Sequence, residues 1–112
     1  MRYLAVYRTP ETAKPPTEQE MTDMGRLIQD MTNAGVLLAT EGCQPTAKGF
    51  RVRRIGESIT VKDGPFTEAK EVIGGFAIFQ VKSKEEAVEW TKRFLRVAGD
   101  GESEVRLIHE MP

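Results

Sequence analysis

The chain has 112 residues, which is enough for a single domain over residues 1–112 with one core and too few for two domains. Its 16 basic and 17 acidic residues leave a formal net charge of -1, so no electrostatic reason exists to expect direct nucleic-acid binding. The 39% apolar and 29% charged composition, without an apolar run near the roughly 20 residues that span a bilayer, predicts a soluble protein that makes no membrane contact.

The few cysteines and histidines narrow the chemistry further. One cysteine excludes an internal disulfide and favours a cytoplasmic location, and the N-terminus becomes polar too early for a secretory signal. One cysteine and one histidine cannot form a Cys/His zinc site within one chain. No glycine-rich phosphate loop is present, and the sequence implies no cofactor.

The first half of the chain predicts a strand, a helix and a second strand. Residues 2–8 form a strand that is apolar on both faces, and a loop with three prolines follows over residues 9–16. A capping box from Thr17 to Glu20 begins a helix over residues 18–34, and Gly35 suits its C-terminal cap. The methionines of this helix either pack on a sheet or form an adaptable binding face. A strand over residues 36–42 comes next.

Residues 50–63 predict a β-hairpin with Gly56-Glu57 as its two-residue turn. That turn pairs Ile55 with Ser58 and ends by pairing Phe50 with Asp63. Opposed residues share a face, so one face is polar and the other apolar. The apolar face carries Phe50, Val52, Ile59 and Val61, with Arg54 near the turn and Asp63 at the far end.

The second half repeats the order of strand, capped helix and strand. Residues 74–81 form a strand that is again apolar on both faces, and a second capping box at Ser83 begins a helix that ends at Gly99. A last strand over residues 103–111 has Val105, Leu107 and His109 on one face.

These elements predict an α+β fold of the ferredoxin-like, split βαβ type, with an inserted β-hairpin and an antiparallel sheet that carries two helices on one face. Two helices cover one face of such a sheet, yet the strands over residues 2–8 and 74–81 are apolar on both faces. A homodimer that packs sheet against sheet is the simplest way to cover the second face.

The stretch TVKDGPFTEAKEVIGGF, with RYLAVY before it and AVEW and EVRLI after it, closely resembles the DGPF family of YCII-related proteins. The resemblance covers nearly the whole chain and implies a dimeric α+β barrel of ferredoxin-like protomers. Related proteins have been suggested to be enzymes through a histidine–aspartate pair, and some are linked to sigma factors and transcription initiation. Residues 17–35 contain no histidine, so only Asp63 of such a pair has a counterpart here.

Five residues are candidates for a site, each with a structural alternative. Asp63 either caps a turn with Gly64 and Pro65 or serves as an acid/base carboxylate at the rim of an apolar cavity. Arg54 is a candidate anion ligand or part of a solvated hairpin face, and His109 is a candidate ligand or an interface residue. Tyr7 and Phe76 either line a cavity or belong to the core.

Other motif residues have mainly structural interpretations. Thr67 to Glu71 predict a short helical turn with Glu68 and Lys70 in solvent. Gly74-Gly75 predicts a bulge or a close approach of backbones, with room for a ligand beside the next residue as the alternative. Cys43 has no basic neighbour in sequence and is interpreted as structural.

Two functions from different classes follow. The first is a small cytoplasmic dimer with a pocket between sheet and hairpin, which binds a small molecule and uses Asp63 as an acid/base group. The second is a non-enzymatic interaction protein linked to transcription initiation. In a third interpretation the DGPF motif is only architecture that holds the hairpin to the next strand.

Overall fold

A computed structural model describes residues 1–12 and 14–111. Within these residues lie two helices, six strands and one 3-10 turn: β1 Arg2–Thr9, α1 Glu18–Asn33, β2 Leu37–Gly42, the 3-10 turn Thr46–Lys48, β3 Phe50–Ile55, β4 Ser58–Asp63, β5 Val72–Gln80, α2 Lys84–Ala98 and β6 Glu102–Leu107. The loop predicted over residues 9–16 includes Ala13, which lies outside the described residues.

The main sheet is antiparallel, with strand order β2-β5-β1-β6. This order places each strand–helix–strand unit around an intervening strand, which is compatible with a ferredoxin-like fold. The predicted α+β class with two helices is therefore confirmed. β3 and β4 form a separate two-stranded sheet between the two halves.

The helices begin and end at the capping residues that the sequence predicts. Thr17 Oγ1 accepts a hydrogen bond from the Glu20 backbone N–H at 3.1 Å, and Ser83 Oγ accepts one from Glu86 at 3.1 Å. Gly35 has a φ of 73°, and the backbone N–H of the next residue, Val36, bonds back to the carbonyl of Met31 at 3.0 Å. This pair of features is a Schellman motif, which satisfies carbonyls that the helix leaves unpaired.

The core fills one end of the layer between the helices and the sheet. Tyr3 and Phe79 stack with ring centroids 6.0 Å apart. Around them lie the other buried core residues, Leu27, Met31, Val36, Val81 and Ala87. Asp30 of α1 and Arg93 of α2 join the two helices through an ion pair of 2.7 Å.

The opposite face of the sheet carries no helix. The register opposes Leu4 to Ile78 and Val6 to Phe76, and their side chains alternate with the core residues Tyr3, Ala5, Ala77 and Phe79. We call Leu4, Val6, Phe76 and Ile78 the open face. The prediction that the central strands are apolar on both sides is therefore confirmed.

The hairpin has the predicted register, from Ile55 opposite Ser58 to Phe50 opposite Asp63. Gly56 has a φ of 60°, as the first central residue of a tight hairpin turn requires. The hairpin stands away from the body, and the molecule is 45 × 43 × 18 Å in extent. Among the described residues no helix is long and apolar enough to cross a membrane.

Candidate functional site

A cavity of about 400 Å³ lies between the two helices and the sheet. It occupies the end of the layer where β1 and β2 finish and β5 begins. Its lining is Ala5, Tyr7, Met24, Leu27, Ile28, Met31, Leu37, Thr40, Glu41, Gly42, Gly74, Gly75, Phe76, Ala77, Phe79, Trp90, Thr91, Phe94, Ala98 and Ser103. The hydrophobic core is thus filled at one end and open at the other.

Side-chain size along the sheet explains the gap. The register puts the large residues Tyr3, Phe79 and Leu107 in one row across β5, β1 and β6. Two residues further along, the row is Ala77, Ala5 and Val105, and the next is Gly75, Tyr7 and Ser103. Small side chains on the sheet leave space that the helices do not fill, and such space persists because interiors collapse only partly.

The apolar stripe of α1, which consists of Met21, Met24, Ile28 and Met31, contributes to the core and also forms part of the cavity wall. Met31 is buried in the core, while Met24 and Ile28 face the cavity beside it. The prediction that this stripe packs on the sheet is confirmed for Met24 and Met31, whereas Met21 is exposed. Because a methionine side chain is unbranched and has three rotatable bonds, this wall is able to adjust its shape to an occupant.

Tyr7 is held at the end of the cavity by its ring and its hydroxyl. The ring meets Phe94 edge-on at 5.1 Å, and the hydroxyl donates to the carbonyl of Asp100 at 3.0 Å. A Cβ on Gly74 would lie 3.1 Å from the Tyr7 ring, and one on Gly101 would lie 2.6 Å from it. The two glycines therefore make room for the ring.

Gly74 is also the extra residue of a β-bulge. The register of β1 against β5 passes from Tyr7 opposite Gly75 to Arg8 opposite Ile73. A Cβ on Gly75 would lie 2.7 Å from the Glu41 carbonyl oxygen, so the backbones of β2 and β5 approach closely there. The predicted bulge is confirmed.

The polar groups around the cavity are few and mostly engaged. Thr40 Oγ1 donates to the carbonyl of Phe76 at 2.9 Å, and Thr91 Oγ1 donates to Ala87 at 2.8 Å. Among the described residues that line the cavity, none is lysine, arginine or histidine. The one acidic residue among them, Glu41, pairs with Phe76, so the register puts its side chain on the open face. The lining therefore favours an apolar occupant and offers no cation to an anionic one.

The structure brings together only two of the five sequence-predicted site residues. Tyr7 and Phe76 line the cavity, although the register puts the Phe76 ring on the open face. Asp63 and Arg54 lie on the exposed hairpin, and His109 is exposed near the C-terminus.

This cavity lies between sheet and helices. A second, more open pocket of about 460 Å³ lies where a pocket between sheet and hairpin is expected, with Phe50 and Arg51 of β3 and Ile73 of β5 in its lining, and Asp63 does not line it.

The expectation that His109 shares a strand face with Val105 and Leu107 is wrong. β6 ends at Leu107, and the N–H of Ile108 makes a further hydrogen bond to the carbonyl of Arg2 at 2.9 Å. β1 begins at Arg2, so no neighbouring strand remains for His109 to pair with.

The turn after Asp63 packs against the Thr46–Lys48 segment, and we call this contact the joint. The Gly64 N–H donates to the carbonyl of Gly49 at 2.9 Å, and a Cβ on Gly64 would overlap the carbonyl of Thr46. The Phe66 N–H donates to Thr46 Oγ1 at 3.1 Å, and the Phe66 ring is buried. This geometry matches the interpretation of the motif as architecture.

Thr46 also holds Glu11, which the sequence analysis did not single out. The Thr46 N–H and hydroxyl each donate to the Glu11 carboxylate at 2.7 Å. These bonds, led by the one from the backbone, lower the pKa of Glu11 from its ordinary value of 4.5. Three segments thus meet at one threonine.

Charged side chains support the hairpin side of the joint. Glu68 pairs with Lys62 at 2.6 Å and with Arg51 at 3.4 Å, and the bond from Lys62 lowers the pKa of Glu68. Arg51 also lies over the Phe66 ring, 3.8 Å from its centroid. Residues Thr67 to Glu71 contain one turn, closed by the bond from the Ala69 N–H to the Phe66 carbonyl, and Glu68 is exposed to solvent as predicted while it also pairs with these two cations.

The described residues contain no group of three or more histidine, cysteine, aspartate or glutamate side chains able to hold a metal ion. They also contain no hydrogen-bonded partner for the Asp63 carboxylate. The arrangement within one chain is therefore an apolar cavity and a structural joint, which are separate features.

Comparison with known proteins agrees with the resemblance in the sequence. Over 80 residues, 71% of this chain, it is 29% identical to an uncharacterised protein of Rhizobium meliloti (strain 1021). The matched region spans 64% of that protein's length. The model of the YCII-related domain matches residues 1–112, so the chain belongs to the YCII-related domain family.

Proposed function

We propose that this protein binds a small apolar molecule in the cavity between α1, α2 and the sheet. The observation that carries the proposal is the pair of adjacent rows that contain the small sheet residues Ala5, Ala77 and Gly75, which leave about 400 Å³ unfilled. This volume lies within the range of roughly 300–1,000 Å³ typical of small-molecule sites.

The lining favours an uncharged ligand. Apolar surface that leaves water for such a wall gains about 25 cal/mol per Å². A buried anion would meet no cation among the described lining residues, and an unpaired buried charge is costly. Tyr7, Thr40 and Thr91 already donate their hydroxyl protons within the chain, which leaves their oxygens as acceptors for a ligand hydroxyl or amide.

A substitution that fills the cavity with a larger side chain tests this proposal. Ala77→Leu adds volume in the middle row, and Ala34→Leu makes the same change at the exposed C-terminal end of α1. Binding of the uncharged fluorescent dye Nile red is measured by titration. We expect Ala77→Leu to weaken binding at least about tenfold, which is about 1.4 kcal/mol, and Ala34→Leu to leave it unchanged. Equal binding by Ala77→Leu and wild type would place the dye elsewhere and reject the cavity.

Acid/base catalysis at Asp63 is not part of this proposal, because Asp63 lies on the hairpin and does not line the cavity of its own chain. Asp63→Asn should therefore leave Nile red affinity unchanged. A loss of affinity in that variant would mean that the hairpin and the cavity act together.

We also propose that two chains form a homodimer through the open face. Leu4, Val6, Phe76 and Ile78 form an apolar patch in the middle of the sheet, and neither helix covers it. Arg8 and Glu104 pair at 3.0 Å beside it, as expected at the polar rim of an interface. A two-fold axis lets the same patch cover itself.

Sedimentation equilibrium tests the dimer. Ile78→Lys buries a charge in the proposed contact and should lower the average molar mass, whereas Val88→Lys, on the exposed side of α2, should not. A wild-type chain that sediments as a monomer would reject the homodimer. That result would favour the alternative function, in which this face binds another protein such as a component of transcription initiation.

A further inference from the structure

The β3–β4 hairpin carries an apolar surface that its own chain leaves uncovered. Phe50, Val52, Ile59 and Val61 share one face and are 59–66% exposed. We call these four residues, with Arg54 and Asp63, the arm face. An isolated two-stranded hairpin is at best marginally stable in water, so this arm needs a partner.

The shape of the chain supports the same conclusion. The Cα radius of gyration is 15.9 Å, whereas a compact chain of this length has about 13 Å. The difference reflects an arm that projects from the body and makes little contact with other strands or helices. Its apolar side chains therefore cannot be covered by a small adjustment of the same chain.

The charges on the arm face sit at diagonally opposite corners. Arg54, opposite Ile59, lies at the turn end of β3, and Asp63, opposite Phe50, lies at the base end of β4. Val52 and Val61 oppose each other midway between them. One positive and one negative corner around an apolar centre make a pattern that is complementary to itself under a two-fold rotation.

We propose that the arm face docks against the arm face of a second copy, with Arg54 of each chain over Asp63 of the other. The two-fold axis lies in the contact plane at right angles to the Arg54–Asp63 diagonal. The diagonal makes an angle of about 20° with the strand direction. It spans about 13 Å along the strands, the distance from Phe50 to Arg54, and about 4.8 Å across them, the distance between paired strands. The two hairpins then cross at about 40°, close to the roughly 30° of packed sheets.

This arrangement covers the centre of the arm face and pairs its two charged corners. Val52 and Val61 meet their counterparts at the axis, and the charges form two ion pairs at the edges of the apolar contact. Within one chain Arg54 Nε donates to the carbonyl of Gly56 at 2.7 Å, and its terminal nitrogen lies 3.5 Å from Glu57, whose side chain is fully exposed. The guanidinium has five N–H groups, so it keeps donors for a carboxylate of the partner.

Cysteine cross-linking tests this contact separately from the open face. Cys43 is an exposed free cysteine, so all variants carry Cys43→Ser. Val52→Cys places a thiol next to the two-fold axis, and Thr60→Cys places one on the opposite face of the same hairpin. Face-to-face sheets lie about 10 Å apart, so a short bis-maleimide is used to join the thiols. Val52→Cys should form the cross-linked dimer at least about tenfold faster than Thr60→Cys, whereas equal rates would overturn the proposal.

Charge reversal tests the pairing itself in the Val52→Cys background. Arg54→Glu or Asp63→Arg alone should slow cross-linking at least about fivefold, because like charges then meet. The double variant Arg54→Glu/Asp63→Arg should restore the wild-type rate, while Arg53→Glu on the other face should have no such effect. A double variant slower than both single variants would reject the Arg54–Asp63 pair.

Discussion

Gly64, in the Asp63–Phe66 turn, occupies a position where no side chain fits unless the backbone shifts. Any side chain at this position would overlap the carbonyl of Thr46, and that carbonyl belongs to backbone that is itself fixed by Glu11. A glycine therefore joins the hairpin to the rest of the chain through close contact of two backbones.

Gly64→Ala should lower the free energy of unfolding by about 3 kcal/mol, at the upper end of the usual cost of overpacking. Gly25→Ala is the matched control, because a Cβ at Gly25 in α1 meets no atom within 4 Å. This change should raise the free energy of unfolding by about 0.5–1 kcal/mol, since it restricts the unfolded chain. Denaturant titration measures the free energy of unfolding of both variants. If Gly64→Ala leaves it unchanged, the close backbone contact at the joint is contradicted.

Glu11 should make stability depend on pH at the acid end. Its pKa is lowered in the folded state by the bonds from Thr46, so it stabilises the fold above its ordinary pKa of 4.5 and this contribution is lost as pH falls through the lowered value. Wild type should therefore unfold at a higher temperature than Glu11→Gln near pH 7, and the difference should shrink towards about pH 3.

Glu104→Gln is a useful comparison, because the pKa of Glu104 is also lowered, chiefly by its hydrogen bond from Arg8. It should show the same trend at an unrelated place in the fold. A difference between wild type and Glu11→Gln that stays constant across this range would show that Glu11 acts through packing and that its charge is unimportant.

At the residue scale the sequence predicts the presence of a special turn but not its contacts. The run Asp63-Gly64-Pro65 marks a turn by residue type alone. Thr46 and Glu11 are 35 positions apart in segments without periodicity, and no local pattern connects them to Phe66. Their meeting depends on the path of the whole chain.

At the scale of the elements, the caps and the hairpin are predictable because they are local. Thr17 and Ser83 each bond the backbone three residues later, and two-residue turns fix the register of the strands that they join. The end of β6 is different, because it depends on where β1 begins, and so the strand predicted to Met111 stops at Leu107.

Thr17→Ala and Ser83→Ala should each lower the free energy of unfolding by about 1 kcal/mol, because each leaves a helix N–H without its acceptor. Thr22→Ala, within α1 and exposed, is the control and should change it by less than about 0.5 kcal/mol. Thermal unfolding monitored by circular dichroism measures all three. Equal effects of Thr17→Ala and Thr22→Ala would contradict the cap.

The cavity also belongs to the scale of the elements, because it depends on how the strands of the main sheet pair. Ala5, Ala77 and Ser103 are far apart in sequence, and they form adjacent small rows only once the register of three strands is known. The sequence therefore predicts a sheet with helices on it but not the place where the helices fail to fill the layer. Tyr7 and Phe76 were predicted as lining candidates because they are aromatic strand residues.

At the scale of the whole molecule, one chain is a thin layered body with an arm. Its thickness is 18 Å, about one sheet and one layer of helices, and both the open face and the arm face are left for contacts with a partner. If the two faces share one two-fold axis, two chains suffice. If they use different axes, four chains close into a tetramer when those axes cross at right angles, and other angles give a larger ring or an open chain of molecules. The molar mass from light scattering distinguishes these assemblies.

The separation of the hairpin from the main sheet has a consequence for amide hydrogen exchange. No backbone ladder joins the two sheets among the described residues, so the hairpin is able to open while the body stays closed. In a dilute chain the amides of Phe50 to Asp63 should exchange by local opening, much faster than those of β1 and β5. On self-association the same amides should slow together, and the hairpin would then exchange as one cooperative unit with its partner.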